Sequence, residues 1–195
     1  MIAWTAVMPF KAGADRKTRL AQLLSPAERL ALSDELAAHV THCLGAVQAV
    51  TQRLILSPVE IEGYDAVWAK DEGRGLNKEL DVLWATKPTC PLLVVHGDLP
   101  FLTAKDVIAL IEAAELQGSA IAPDRHRTGT NALALMSRKD FAFAFGPDSF
   151  RRHMEALGNN AAVIVSDGLG FDLDTPDDFH DARLHMNIAT YGSRP

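Results

Sequence analysis

Residues 92–102 read LLVVHGDLPFL, and this stretch decides the fold that the sequence predicts. The apolar run 92–95 is too short for a helix and rich in β-branched side chains, so it predicts a buried strand of a parallel sheet. Gly97 ends the run, and Pro100 cannot donate a hydrogen bond to a sheet. Asp98 is therefore predicted at the carboxyl end of a central strand, where open α/β sheets bind their ligands. A carboxylate there suits a divalent metal, and capping of the turn is the simpler alternative.

The composition limits the class of protein. A chain of 195 residues that is 48% apolar and 23% charged is most simply one soluble globular domain, residues 1–195. The formal net charge of −6 argues against a general nucleic-acid binder. No apolar run approaches the roughly 20 residues of a membrane helix, and the amino terminus predicts a first strand rather than a signal peptide. The two cysteines lack metal-ligand spacing, so reduced thiols in the cytoplasm are expected.

Positive charge is concentrated just after the first predicted strand, residues 2–8. The cations of this loop are Lys11, Arg16, Lys17 and Arg19. A loop in this position can bind phosphates through its cations and its free backbone N–H groups. A solvated surface loop is the alternative.

Three polar turns could also bind ligands. Gly73 and Gly75 in DEGRGLN would let backbone approach an anion or a base, although a helix cap explains them nearly as well. Thr130 in RTGTN offers a hydroxyl group to a phosphate or carboxylate, unless the turn merely joins two strands. Gly146 and Ser149 in FGPDS precede a predicted helix, where Ser149 could bind an anion or serve only as the N-cap.

The stretch GFDLDTP, residues 170–176, carries a second acidic signal. Side chains alternate along an extended segment, so Asp172 and Asp174 are predicted to point to the same side. Two carboxylates facing one way repel each other unless a cation or water lies between them. Thr175 and Pro176 predict a helix start, which accounts for the acids that follow but not for Asp172.

The remaining elements alternate between strands and helices. Further strands are predicted at 53–57, 66–69, 119–122, 131–136 and 161–165, and helices at 25–45, 80–85, 103–118, 150–157 and from 176. The tail past about residue 187 is predicted to be irregular.

Six motifs, in this order, resemble the 2-phospho-L-lactate guanylyltransferase family of coenzyme F-420 biosynthesis. They are PFKAGADRKTRL, DEGRGLN, HGDLPFL, APDRHRTGTNAL, FGPDSFRRH and GFDLDTPDDF, and together they span nearly the whole chain. The resemblance implies an α/β fold: a single Rossmann-like nucleotidyltransferase domain with a mostly parallel central sheet and helices on both faces. It also implies transfer of GMP from GTP to 2-phospho-L-lactate, phosphoenolpyruvate or 3-phosphoglycerate, with release of pyrophosphate.

The resemblance further implies a role for each motif. Mg²⁺ would be held by Asp98, Asp172 and Asp174. The catalytic residues would be Asp98, Lys17 and Arg19. GTP would contact a larger set of cations and turn residues, namely Lys11, Lys17, Arg19, Gly75, Asn77 and Pro100. The phosphate and carboxylate of the acceptor would contact Thr130, Gly146 and Ser149.

The expected partners are GTP and a small phosphorylated acid, with no nucleic acid and no membrane, and a homodimer is a further expectation. One alternative is a molybdopterin or sugar-phosphate nucleotidyltransferase, although such enzymes usually carry a glycine-rich first loop that residues 9–20 lack. Another is a nucleotide-binding module without catalysis, against which the three acids argue. His96, His126 and Arg127 receive no role.

Overall fold

The computed structural model of the chain describes residues 1–13, 16–86, 90–137, 141–158 and 160–185. The predicted irregular tail lies outside these ranges. Among the residues described, no helix combines the length and apolar character needed to cross a bilayer.

A seven-stranded sheet, counted over the described residues, forms the centre of the molecule. Its strands are β1 (Trp4–Pro9), β2 (Val50–Ser57), β3 (Val67–Lys70), β4 (Leu92–Val95), β5 (Ser119–Pro123), β6 (Thr130–Leu135) and β7 (Ala162–Val163). Their spatial order is β3-β2-β1-β4-β6-β5-β7. β6 runs antiparallel to β4 and β5, whereas the other neighbouring pairs are parallel. The prediction of a mostly parallel sheet is therefore confirmed.

Helices cover both faces of this sheet, as predicted. They are α1 (Pro26–Gly45), α2 (Leu76–Ala85), α3 (Ala104–Gln117), α4 (Ser149–Ala156), α5 (Asp167–Gly170) and α6 (Pro176–His185), with a 3-10 helix at Thr18–Leu20. α1 and α3 contribute to the core on one face, through residues such as Val40 and Leu110. α2 contributes to the core on the other face, where Leu80 and Trp84 meet a group of phenylalanines.

The short apolar strand β4 lies where the sequence predicts it. All four of its side chains are at most 1% exposed, because β1 and β6 flank it and core side chains cover both faces. Its pairing is parallel to β1 but antiparallel to β6, so the predicted parallel environment holds on one side only. The predicted strand at 161–165 is shorter than expected, since β7 spans Ala162–Val163.

The reversal before β6 brings a second motif to the edge of the sheet where β4 ends. Asp124 closes this turn: its carboxylate accepts hydrogen bonds from the N–H groups of Thr128 at 2.9 Å and Gly129 at 2.7 Å. A Cβ at Gly129 would lie 2.7 Å from Asp124 Oδ2, so a side chain there would displace the carboxylate that closes the turn. The N–H of His96 then donates to the carbonyl of Asn131 at 2.9 Å, which places the start of β6 beside the end of β4.

Candidate active site

Lys17 joins the two acidic motifs that the sequence places far apart. Its Nζ lies 3.0 Å from Asp98 Oδ2 and 2.8 Å from Asp174 Oδ1, and its side chain is 9% exposed. Burial opposes the charge, but the two carboxylates outweigh burial and raise the pKa of Lys17 above its ordinary value. The backbone of Lys17 is left-handed, with φ 51° and ψ 41°, a conformation uncommon for residues other than glycine. Such strain is found chiefly at functional sites.

Asp98 follows β4 in the turn predicted for it, and it anchors the last acidic segment. Its carbonyl accepts the N–H of Leu173 at 3.0 Å, which fixes the extended segment around Asp172 and Asp174 beside it. Burial alone would raise the pKa of Asp98, but Lys17 and His96 hold it below its ordinary value. One carboxylate oxygen, Oδ1, is buried and has no hydrogen-bond partner among the residues that the structure describes.

Asp172 completes an acidic group of three. Asn131 Nδ2 lies 3.5 Å from Asp172 Oδ1, at the limit of a hydrogen bond, and donates to the carbonyl of Leu169 at 3.0 Å. Burial raises the pKa of Asp172, and the charges of Asp98 and Asp174 raise it further. These three carboxylates therefore carry more negative charge than the ammonium of Lys17 alone can neutralise.

The donor set of these acids fits a hard divalent cation, although the present arrangement holds an ammonium instead. Carboxylate oxygens are the ligands that Mg²⁺ prefers, and no described residue donates a hydrogen bond to the buried Asp98 Oδ1. Across the described ranges, no group of three or more His, Cys, Asp or Glu side chains stands in a metal-holding arrangement. Lys17 lies between Asp98 and Asp174. Coordination of Mg²⁺ by Asp98, Asp172 and Asp174 therefore stays a prediction.

The other cations of the first loop divide into two kinds. Arg19 is 72% exposed and its Nη1 lies 4.0 Å from Asp174 Oδ2, so its guanidinium is near the acids and accessible. Lys11 is exposed. Arg16 is instead tied to α1, because its Nη1 donates to Asp34 Oδ1 at 2.6 Å and its guanidinium lies over the ring of Phe10.

The glycine turn 71–75 is held by a residue that the sequence interpretation missed. Glu79 Oε1 accepts from the N–H groups of Glu72 at 3.0 Å and Arg74 at 2.9 Å, and Oε2 accepts from Arg74 Nη2 at 2.7 Å. These bonds with Arg74 lower the pKa of Glu79 to about 2, although its side chain is buried. A glutamate four residues after Gly75, which carries φ 87°, is the sequence signal for this arrangement.

Asn77 links that turn to the FGPDS loop. Its Nδ2 donates to the carbonyl of Phe145 at 3.1 Å, and its Oδ1 accepts the N–H of Phe145 at 2.7 Å. Both ends of the amide are therefore engaged in positioning Phe145. Pro100, two residues after Asp98, is buried.

The three residues predicted for the acceptor are linked through helix α4, which carries Ser149 and a further residue, His153. Thr130 and Ser149 are each 2% exposed, and the N–H of Ser149 donates to the carbonyl of Gly146 at 3.1 Å. His153 lies one helical turn after Ser149 on α4 and contacts the Thr130 hydroxyl, with 3.0 Å between Nδ1 and Oγ1. The GTN and FGPDS motifs are therefore one cluster, although 15 residues separate Thr130 from Phe145.

Arg125 fixes the position of the last acidic segment, and its partner Asp178 was predicted only as a helix-start charge. The Arg125 guanidinium pairs with Asp178 and lies 4.5 Å from the ring centroid of Phe171. Asp178 Oδ2 accepts the N–H groups of Asp174 at 2.9 Å and Thr175 at 2.7 Å. The first turn of α6 therefore holds the backbone of Asp174 in place.

The fold and the site together define a nucleotidyltransferase: a mostly parallel sheet whose edge gathers cations and carboxylates from distant loops. The chain belongs to the family described as CofC-like guanylyl transferases, whose model matches residues 4–191. This match confirms the family resemblance read from the six motifs.

Relatives agree with this family, and a solved structure agrees with the fold. The chain is 36% identical to a phosphoenolpyruvate guanylyltransferase of Sphaerobacter thermophilus, with 94% of each chain covered. It is also 36% identical to a protein of the same name from Chloroflexus aurantiacus, over 86% of this chain and 88% of the relative. A Desulfovibrio desulfuricans protein assigned to the nucleotide-diphospho-sugar transferases superposes with a TM-score of 0.78 at 15% identity, covering 97% of this chain and 90% of its own. That likeness confirms the predicted Rossmann-like fold.

Proposed function

We propose that this guanylyltransferase uses phosphoenolpyruvate as its acceptor and joins it to the GMP moiety of GTP. The observation that carries the transfer chemistry is Lys17, whose Nζ lies within 3.0 Å of Asp98 and Asp174 and so places cation and acids at one point. The names of the curated relatives favour phosphoenolpyruvate over 2-phospho-L-lactate and 3-phosphoglycerate.

The reaction is a single displacement at phosphorus. A phosphate oxygen of the acid forms a bond to the α-phosphorus of GTP. The bond from that phosphorus to the bridging oxygen breaks, and pyrophosphate leaves with the electron pair. No group of the protein needs to form a covalent bond, so the protein contributes positioning and charge neutralisation.

The cations of the first loop act on the leaving group in this proposal. Lys17 keeps its charge in the site because neighbouring acids raise its pKa. Arg19 is exposed beside the acids and would neutralise charge on the departing phosphates, as would the exposed Lys11. Asp98, Lys17 and Arg19 are the catalytic residues of this proposal.

The acids complement these cations. Asp98, Asp172 and Asp174 would hold Mg²⁺, which would supply positive charge to the triphosphate and the acceptor when bound. The buried Oδ1 of Asp98, to which no described residue donates a hydrogen bond, and the raised pKa of Asp172 support this assignment, because the single ammonium of Lys17 carries less charge than three carboxylates.

The turns recognise the two substrates. Gly75 and Pro100 would lie against the nucleoside, and Asn77 would act there mainly through the loop that its amide holds. Thr130, Gly146 and Ser149 would bind the phosphate and carboxylate of the acid, a role supported by the contacts of Thr130 with His153 on α4 and of Ser149 with Gly146.

The wider setting follows from the chemistry. A guanylylated phosphorylated acid is an intermediate of the kind that the family resemblance places in coenzyme F-420 biosynthesis.

GTP and phosphoenolpyruvate are cytoplasmic metabolites, and Cys43 and Cys90 are free thiols, so we propose that the protein is cytoplasmic. We further propose that residues 1–195 act as one nucleotidyltransferase domain. The homodimer stays a prediction that light scattering tests.

The experiment is a matrix of nucleotides and acids. The protein is incubated with Mg²⁺, with GTP, CTP, UTP or ATP, and with each of the three acids, and pyrophosphate release is measured. Release with GTP and phosphoenolpyruvate, at least tenfold faster than with any other pair, is expected. Preference for another acid would reject the proposed acceptor, and preference for CTP or UTP would reject guanylyl transfer by this chain.

A further inference from the structure

His153 is the most completely enclosed titratable side chain near the acceptor motifs. It is 0% exposed, on α4, and its ring stacks on Phe141 and meets Phe145 edge-on, with centroids 5.9 and 4.7 Å apart. Burial is the largest of the causes that lower its pKa to about 4, with Arg152 and His96 contributing to the same shift, so the imidazole is neutral near pH 7.

The hydrogen bonds of this ring define its tautomer. The N–H of Ala144 donates to His153 Nε2 at 2.9 Å, so Nε2 carries no proton. A neutral imidazole has one N–H, which must then be on Nδ1. Nδ1 lies 3.0 Å from Thr130 Oγ1, so the ring donates to that hydroxyl oxygen.

The tautomer of His153 determines how the Thr130 hydroxyl can form hydrogen bonds. Its oxygen accepts from His153, and its own proton remains available, since within the described ranges His153 is the hydroxyl's one hydrogen-bond partner. A buried O–H group without an acceptor costs free energy, and a bound phosphate or carboxylate oxygen would supply that acceptor. The hydroxyl is thereby prepared as a donor to an anion before the anion arrives.

We propose that His153 is a positioning residue that orients the Thr130 hydroxyl as a hydrogen-bond donor to the anionic acceptor. This inference rests on the proposed function, because it gives His153 a role in binding the phosphorylated acid. Ala144 holds the ring in the required tautomer, and Asn77 holds the adjacent Phe145 through two hydrogen bonds.

Two conservative variants separate positioning from simple packing. His153→Asn keeps an amide nitrogen near the position of Nδ1 and can still donate to Thr130. His153→Gln keeps an acceptor near the position of Nε2 but leaves Thr130 without its donor. The kinetic constants for phosphoenolpyruvate and GTP are measured separately by pyrophosphate release, and His180→Gln, an exposed histidine on α6, is the control.

His153→Gln is expected to raise the KM for phosphoenolpyruvate about tenfold, the effect of one charge-assisted hydrogen bond. The KM for GTP should stay within about twofold, and His153→Asn should lie closer to the wild type. In a Thr130→Val background, His153→Gln should have no further effect on that KM. Equal changes in both KM values, or additive effects of the two substitutions, would overturn the proposal.

The tautomer is tested independently of turnover. Two-bond ¹⁵N–¹H correlation spectra of histidine-labelled protein should show the Nδ1–H form for the resonance that disappears in His153→Asn, and the Nε2–H form would overturn the inference. If the wild type turns over none of the three acids, the proposed function fails separately. Calorimetric binding of phosphoenolpyruvate then decides: weaker binding by His153→Gln supports the role of His153, whereas equal or absent binding in both proteins overturns it.

Discussion

Lys17 is a buried cation whose position depends on two acids, and the acids depend equally on it. Its ammonium satisfies Asp98 and Asp174, and the left-handed backbone that directs it there carries a conformational cost. A lysine used only as a charged surface group would need neither burial nor strain. The geometry therefore indicates that the ammonium must be held at one point of the site.

Replacing Lys17 with methionine tests this role. The substitution keeps the length of the side chain but removes the charge, so Asp98 and Asp174 lose their shared partner. The kcat/KM for pyrophosphate release is expected to fall at least about 100-fold. Lys105→Met, at an exposed position of α3, is the matched control and should leave the rate within about twofold. A Lys17→Met protein that folds and retains more than a tenth of the activity would contradict the assignment.

The acids make a separate prediction about magnesium. Asp98→Asn keeps the shape of the side chain and removes one of the charges proposed to hold the ion. The Mg²⁺ concentration for half-maximal activity should rise at least about tenfold, since a carboxylate ligand is lost. Titration of Mg²⁺ into metal-free protein measures this shift. Asp177→Asn, exposed in the first turn of α6, should leave the titration unchanged, and an unchanged midpoint in Asp98→Asn would argue against the metal site.

The turn 71–75 and helix α2 behave as one unit, because Glu79 on the helix accepts the N–H groups of the turn. Glu79→Gln removes the charge and one acceptor, so the turn should become less ordered. The KM for GTP is expected to rise about three- to tenfold, while the KM for the acid changes little. Steady-state kinetics with each substrate varied measures both values, and Glu112→Gln, exposed on α3, is the control. A larger effect on the acid than on GTP would place this turn elsewhere in the site.

Helix α4 gives the protein a pH-dependent stability through His153. The pKa of His153 is about 4 in the folded protein and 6.5 in the unfolded chain, so the unfolded chain binds more protons between these values. The free energy of unfolding therefore falls as pH decreases through that window and is preserved above it. Between pH 7 and pH 5 the contribution of this group should decrease by about 2 kcal/mol.

Urea unfolding of the wild type and of His153→Asn at both pH values isolates this contribution. Asparagine does not titrate, so the difference in stability between the two proteins should shrink by the same amount on acidification. A difference that stays constant with pH would mean that folding leaves the pKa of His153 unchanged, which would contradict the prediction.

For the molecule as a whole, the sequence predicted the individual strands and helices better than the way in which they pair and pack. The strand 92–95 and the helix predicted at 103–118 were predicted correctly, because apolar runs and helix-start signals are local. The direction of β6 depends on which strands it pairs with, and no local sequence pattern specifies that pairing. That direction nevertheless brings Asn131 within reach of Asp172.

In the site, too, residues with a local sequence signal were predicted and residues whose partners are brought near only by folding were missed. The residues of the basic loop and the three acids were found by their charge, and Lys17 does meet Asp98 and Asp174. Glu79 and His153 were missed because their partners are backbone groups and a hydroxyl, brought near only by folding. Asn77 was predicted at the nucleotide, but its amide is engaged with Phe145, a contact 68 residues away along the chain.

The pair of Arg125 and Asp178 joins the turn after β5 to the start of helix α6, next to Asp174. Asp178 has a side chain 4% exposed, so removal of Arg125 leaves a buried carboxylate without its counter-ion. Arg125→Met is expected to lower the free energy of unfolding by about 3 kcal/mol. It should also lower kcat/KM, because Asp178 holds the backbone of Asp174.

A second substitution distinguishes loss of this ion pair from loss of packing on Phe171. Arg125→Met combined with Asp178→Asn removes the uncompensated charge and keeps an oxygen that can accept the N–H groups of Asp174 and Thr175. If the buried charge causes the destabilisation, the double variant should be more stable than Arg125→Met alone in urea unfolding. If the lost contact of Arg125 with Phe171 causes it, the double variant should be no more stable. Arg151→Met, which breaks an exposed pair with Glu155, should change stability by at most about 0.5 kcal/mol and so calibrates the assay.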